Sequence, residues 1–429
     1  MRLGRVELVR RRQVRRSGDS DDFDVLILDG PYKQSLRSAQ NLGRAGLRVA
    51  IGMSQGQYDP SLPVPTFRSR YCAHGVVFPS YYEDPARFAD AVLEFVRGHP
   101  TRVILPTGDG TIAVLAPRRA QFAALGTTLA LASDTALKDA NHKDRTLEVA
   151  SRLGIDFPKS VRIDSVDDLK AAAAELGYPF VLKPTFSWLA QSAQRVSPVE
   201  VIDETEAEIM TRNFIDAGAG ILAQEYAGGL REEVTLLIID GEVAVSCGHL
   251  EYRNIPQLGG ISVMRESIEV PPEILDSSIR LAKAMGLEGP CGVEFRRNSK
   301  NKPLLMEINA RLGGALESAT RSGIDLPLMV WQWAMRMPVQ KTEKYRVGVR
   351  TRWLEGDIRW LEQNFSRRGR PDSVPMIQGV WIFASEFART RYYDFLDWGD
   401  LAPTVAELQN LVTVAVRRVK RPLQQRPRR

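Results

Sequence analysis

Apolar residues along this chain follow two rhythms. FDVLILDG (23–30) is an unbroken apolar run closed by Asp-Gly, SLRSAQNLGRAG (35–46) carries apolar residues at helical spacing and stops on Gly, and LRVAIGM (47–53) is a second run. Short buried runs joined by a helical segment predict a β-α-β unit. A helix over 85–97 and the buried run TRVILPTGDG (101–110) extend it into a doubly wound α/β domain, which takes ligands at the C-terminal ends of its strands. Thr107 and Asp109 lie there as candidate small-substrate contacts, with helix capping the competing role for Asp109. The loop DGPYKQS has no GxGxxG pattern, so no dinucleotide site is expected.

Farther on, KDANHKDRTLEVASRLGIDFPKS (138–160) reads as a helix with a Gly-Pro exit, followed by a helix near 165–176 and the strand YPFVLKP (178–184). GILAQEYAGG (220–229) is a strand running into a Gly-rich bend, and REEVTLLIIDGEVAVSCG (231–248) a hairpin turning on Asp-Gly. EYRNIPQLGGISVMRES (251–267), with no apolar alternation, reads as a loop, and 271–287 as a helix begun by prolines. The Trp, Met and Leu of 322–338 mark a core helix; 341–414 is mixed, with 391–414 helical.

One hairpin carries chemistry. In GPCGVEFRRNSKNKPLLMEINARLGG (289–314), GVEF and LLMEINAR are strands around an Asn- and Lys-rich turn. Glu307, Asn309 and Arg311 are spaced by two and share a face, and Glu294 can lie opposite them. Two carboxylates and an amide oxygen suit a hard divalent cation such as Mg2+ whose shell is completed by phosphate oxygens. An adjacent arginine offsets charge on a transferring phosphoryl group. A solvated amphipathic strand is the alternative. Lys183, on an otherwise apolar strand, calls for an anionic partner, with phosphate the natural one.

Composition narrows the class. The chain has 429 residues, 44% hydrophobic and 26% charged, as in an ordinary globular protein of two or three domains. No apolar run is long enough to span a bilayer, and the charged N-terminus lacks the apolar core of a secretory signal. Cys72, Cys247 and Cys291 show no metal-ligand spacing and read as reduced thiols of a cytoplasmic protein. The net charge of +6 is unevenly placed: residues 1–16 carry +6 and residues 417–429 carry +7, leaving −7 for the body between. Nucleic acid is therefore not expected on the folded body, and the basic tails read as solvated segments with affinity for nucleic acid or anionic lipid as the alternative.

Four segments in order, YPFVLKP, AQEYAGG, REEV and VEF…LMEINAR, resemble the ATP-grasp superfamily, more closely its carboxylate–amine ligase and carbamoyl-phosphate-synthetase-like branch, over roughly 23–338. The resemblance implies a doubly wound pre-ATP-grasp domain (23–135) followed by a two-lobed α+β ATP-grasp domain (136–340) with a lid at about 150–222. A mixed, helical extension (341–414) and basic tails at 1–22 and 415–429 complete the division, the first tail expected to be disordered. It places Mg2+, with Mn2+ a substitute, on Glu294, Glu307 and Asn309, and Arg311 on the phosphates. Lys183 and Lys143 become phosphate-binding lysines, although Lys143 equally suits an exposed helix start. Gln224, Glu225, Tyr226 and Ala227 become the adenine hinge, and Glu232 or Glu233 the ribose acid. The family's glycine-rich loop after the second lysine is here TFSWLAQSAQRV (185–196), without glycine; Ser187, Ser192 and Arg195 are the side chains that can replace its backbone amides.

The activity implied is ATP-dependent joining of a small-molecule carboxylate to an amine through an acyl phosphate, releasing ADP and phosphate. A bicarbonate-using carboxylase or carbamoyl-phosphate-type enzyme is the first alternative and a non-catalytic nucleotide-binding protein the second. A homodimer is compatible with the sequence. Arg253, Arg265 and Arg321 are candidate carboxylate clamps or, equally, members of surface ion pairs.

Overall fold

The computed structural model describes residues 7–9, 22–186, 188–189, 194–342 and 344–424. The first unit contains strands β1 (Glu7–Val9) and β2 (Phe23–Ile27), helix α1 (Lys33–Arg44), β3 (Val49–Ser54), β4 (Cys72–Phe78), α2 (Pro85–Gly98), β5 (Thr101–Leu105), α3 (Asp109–Leu115), α4 (Arg119–Ala124) and β6 (Thr128–Leu129). Its sheet has the order β1-β4-β3-β2-β5-β6 and is parallel except at β1. The sequence reading puts Glu7–Val9 in a disordered tail; here they pair with β4, Glu7 opposite Val77 and Val9 opposite Gly75. Residues 1–6, 10–21 and 425–429, the rest of the two basic segments, lie outside the described residues.

The segment read as one helix from 138 is two, α5 (Asp134–Asn141) and α6 (Lys143–Arg152), broken at His142. A small lobe follows: β7 (Ser160–Ile163), α7 (Val166–Leu176), β8 (Phe180–Pro184), the short pair β9 (Trp188–Leu189) and β10 (Gln194–Arg195), β11 (Val199–Val201), α8 (Glu204–Asp216) and β12 (Ile221–Glu225). Its sheet order is β11-β8-β12-β7, and its apolar residues, Phe180, Leu182, Phe214 and Ile221 among them, form a core of their own.

The large sheet comprises β13 (Arg231–Ile239), β14 (Glu242–Ile255), β15 (Ile261–Ile268), then after α9 (Pro272–Ala284) β16 (Gly289–Arg297) and β17 (Pro303–Asn309). Helices α10 (Leu316–Arg321) and α11 (Leu326–Ala334) lead to β18 (Arg350–Arg352), α12 (Leu354–Ser366), α13 (Met376–Arg389), β19 (Tyr392–Tyr393) and α14 (Leu401–Gln424). Strand order is β17-β16-β13-β14-β15-β18-β19. Asp240 and Gly241 both adopt positive φ at the β13–β14 turn, as Asp-Gly predicts. The supposed loop 251–267 is instead the paired ends of β14 and β15. Its alternation was hidden because Glu251, Arg253 and Arg265 are buried in ion pairs, where apolar residues usually stand. Likewise 391–414 is not wholly helical, and α14 runs on to Gln424, past the start of the expected tail.

Buried charge ties the last segment to the first. Along DFLDWGD (394–400) the aspartates recur every third residue, and along α1 Lys33, Arg37 and Gln40 follow helical spacing. Lys33 Nζ lies 3.8 Å from Asp394, Arg37 Nη1 3.2 Å from Asp397, and Gln40 Nε2 donates to Asp400 at 3.1 Å. Arg37 also grips Glu317, and Arg265 grips Asp394. Apolar contact between the first unit and the large sheet is continuous: Leu26, Phe78 and Ile104 share one core with Val234, Phe295 and Leu305.

Candidate active site

Strand pairing builds the centre of the site. Glu294 stands directly opposite Glu307, and Gly292 opposite Asn309. The Asn309 amide nitrogen reaches Glu294 Oε1 at 3.3 Å and Glu307 Oε1 at 3.2 Å. An amide turned by 180° would present its oxygen to the same point, so the three side chains fit a divalent cation with two anionic donors and one neutral one. Among the described residues no group of three His, Cys, Asp or Glu forms a metal cage. Two carboxylates and one amide fill only part of such a cation's shell, leaving room for oxygens such as those of phosphate. Burial pushes Glu307 upward, but the ammonium groups of Lys143 and Lys183 outweigh it and hold the carboxyl below its ordinary range. Glu294 is raised, by burial and by the neighbouring carboxylates, against the pull of Arg231.

Two cavities meet at this point. One, of about 210 Å³, lies between the small lobe and β17. Lys138, Lys143 and Lys183 supply its charge, and Ala113, Leu147, Leu222, Met306 and Ile308 its apolar surface. Lys143 opens α6 and Lys183 sits on β8, where burial depresses its ammonium to about 8 despite Glu307. Gln224 lines this cavity and donates to Ser160 Oγ at 2.9 Å. Glu225 is exposed, Tyr226 half-buried, and the Ala227 carbonyl accepts from Arg296 at 3.3 Å. The second cavity, about 80 Å³, is walled by glycines 259, 260, 292, 313 and 314 and by Arg231, Glu233, Glu251 and Arg311. Asp109, Glu307 and Asn309 line both.

Alternation along β13 separates the two candidate ribose acids. Glu232 is held by Arg297 at 2.6 Å, while Glu233 faces the second cavity, where burial and Glu251 raise it to about 7. Neither lines the cavity that holds the lysines. Arg311 lies beyond the end of β17 and makes a two-pronged contact with Asp109, its Nη2 3.1 Å from Oδ2. The loop presenting Asp109 is fixed by Asp29, fully buried, which accepts from the amides of Thr107 (3.1 Å) and Gly108 (2.7 Å) and from Gln57 (2.7 Å). Burial, only partly offset by these bonds, raises Asp29. Arg311→Lys keeps the charge but loses the two-pronged grip; kcat/KM is expected to fall about 10- to 100-fold with little change in thermal midpoint. Of the other arginines, Arg253 binds Asp357 at 2.6 and 2.9 Å and Arg321 binds Glu317 at 2.8 Å; the pairs of Arg253 and Arg265 are buried, not the surface pairs expected. Ser187 and Ser192 lie outside the described residues, as does the Arg195 side chain.

Two residues central to this geometry were not singled out from sequence. Arg231 bridges Glu251 and Glu294 (2.8 Å to the latter), and Glu251 is itself buried. The available signal was Arg231 opening an apolar strand in front of two glutamates, and Glu251 standing two residues before Arg253.

The sequence is similar to known proteins. Residues 253–357 match the family model described as ATP-grasp in the biosynthetic pathway with Ter operon. A probable alpha-L-glutamate ligase of Marinomonas sp. (strain MWYL1) is 31% identical over 221 residues, covering 49% of this chain and 68% of the relative. The chain belongs to the ATP-grasp family. This ATP-grasp chain is an ATP-dependent carboxylate–amine ligase, an enzyme that forms carbon–nitrogen bonds. Its fold matches an L-amino acid ligase from Bacillus licheniformis (TM-score 0.56, 19% identity, 73% of this chain and 74% of the other). It also matches a biotin carboxylase from Campylobacter jejuni solved as a β-γ-ATP complex (TM-score 0.60, 16% identity, 77% and 75%). Among the described residues no helix of this ATP-grasp ligase is long and apolar enough to cross a membrane.

Proposed function

We propose that the ligase activates a small carboxylate in the glycine-walled cavity with ATP held in the lysine-lined cavity, and passes the acyl group to an amino acid's amine. The observation that carries this reading is the meeting of the two cavities at Asp109, Glu307 and Asn309. One cavity has the cations and apolar walls that triphosphate and base require; the other has the close backbone approach that a small substrate requires. Lys143 and Lys183 bind phosphate oxygens, with Gln224 to Ala227 as the adenine edge; the ribose acid expected at Glu232 or Glu233 does not line this cavity and is not assigned. Glu294, Glu307 and Asn309 hold Mg2+, which supplies charge neutralisation for phosphoryl transfer when bound. Arg311, held by Asp109 at the junction, is positioned to offset charge on the transferring group.

The substrate carboxylate attacks the γ-phosphorus, ADP leaves, and the amine displaces phosphate from the acyl phosphate. That mixed anhydride hydrolyses easily, so water must be excluded. The lobe at about 150–222 is the lid in this reading. The likeness to an alpha-L-glutamate ligase supports an amino acid as the amine. With ATP, Mg2+ and pooled amino acids, ADP release is expected to depend on the amino acid pool, with a new amide detected by mass spectrometry. Release that follows bicarbonate instead, or none with any pool, overturns the reading.

A further inference from the structure

Helix α14 presents an apolar stripe that the described residues leave uncovered. Leu401, Val405, Leu408, Val412 and Val416 recur at helical spacing and are 44%, 52%, 49%, 63% and 45% exposed. The opposite side of the helix anchors it to the body. Asn410 donates to Tyr58 Oη at 2.6 Å and to the Pro63 carbonyl at 3.0 Å, and Glu407 accepts from the Trp353 indole at 3.1 Å. A helix fixed on one face and apolar on the other is poised for a second contact.

Charge identifies its occupant. Glu407 is the last acid in the sequence and is buried; residues 408–429 hold six Arg and one Lys with no Asp or Glu. Arg417 and Arg418 turn back to the body, pairing with Asp59 (2.7 Å) and Glu362, and Lys420 and Arg421 follow on the same helix. Trp398, 82% exposed, stands just before the helix. α14 packs on the turn Pro65–Arg68 that leads into β4, the strand with which β1 pairs. A second copy laid along the stripe would bring apolar surface but no exposed acid from its own α14 to meet this charge. An anionic lipid surface provides both.

We propose that α14 docks the enzyme on an anionic membrane surface, with its valines and leucines entering the interfacial layer and the basic run that follows Arg418 engaging lipid headgroups. Long basic side chains flanking a buried apolar stripe reach headgroups readily, and tryptophan favours that boundary. Residues of the catalytic cavities take no part.

Co-sedimentation of the full chain with vesicles tests this. Vesicles of phosphatidylcholine with about 30% phosphatidylglycerol are expected to bind at least about tenfold more protein than phosphatidylcholine alone, with binding weakened by high salt. The double variant Leu408→Glu, Val412→Glu is expected to lower binding about tenfold or more while ATP-dependent ligation of soluble substrates is unchanged, which also shows that the variant folds. No preference for anionic vesicles overturns the proposal, as does wild-type binding by the double variant. A protein that light scattering finds dimeric, and that the same substitutions make monomeric, shows a second copy on the stripe and also overturns it.

Discussion

Replacing Glu307 with glutamine is expected to lower ligase turnover about 1,000-fold, or ~4 kcal/mol of transition-state stabilisation. The substitution keeps the side chain's shape and removes its charge where both cavities meet. Lys143 and Lys183 hold this carboxyl ionised, so it is the member of the acid–acid–amide set best able to serve as an anionic ligand. Glu294 already spends part of its charge on Arg231 at 2.8 Å. Steady-state ADP release against Mg2+ concentration reads the effect: the variant should need more Mg2+ and remain slow at saturation. Near-wild-type turnover would remove the metal assignment. Circular dichroism distinguishes lost chemistry from lost fold.

The second large effect is on stability. Asp394→Ala is expected to lower the unfolding free energy by about 3–5 kcal/mol, because it strands two buried cations without their shared counter-charge. Arg265 Nη1 lies 3.2 Å and Lys33 Nζ 3.8 Å from that carboxylate, and all three residues are buried. Burial already depresses Lys33 to about 7, against the attraction of Asp394. Urea midpoints at constant slope measure the change. Removing an exposed pair such as Arg145–Glu148 is expected to change stability by no more than about 0.5 kcal/mol. If Asp394→Ala proved equally mild, the aspartate ladder would be incidental to holding the ends of the chain together.

Elements whose side chains follow the solvent-to-core pattern were legible in advance. The β2-α1-β3 unit, the Asp-Gly hairpin and the Glu294–Glu307 pairing all follow from apolar periodicity and turn chemistry. What escaped was wherever charge is buried. Glu251, Arg253 and Arg265 made two strands look like a loop, because periodicity treats a buried arginine as exposed. Arg311 falls two residues from Asn309 in sequence, but β17 ends first, so its direction is set by Asp109 from another unit. Spacing carries no information about such a partner, 202 residues away in sequence. Glu232 and Glu233 were equivalent as letters, and only the register of β13 against β16 separates them.

The separate core of the small lobe has a mechanical consequence. The first unit and the large sheet share apolar contacts and the aspartate ladder, so together they behave as a rigid anvil. The small lobe has its own core and is latched at its far edge by Arg370 to Glu206, a pair that retains solvent access, and by Arg367 to the buried Glu200. The Arg370–Glu206 pair is screened and costs little to part, whereas parting Arg367 from Glu200 leaves a buried carboxylate without its partner. If the small lobe is the lid we propose, exchange of nucleotide would swing one self-contained jaw while the buried charges of the anvil stay paired.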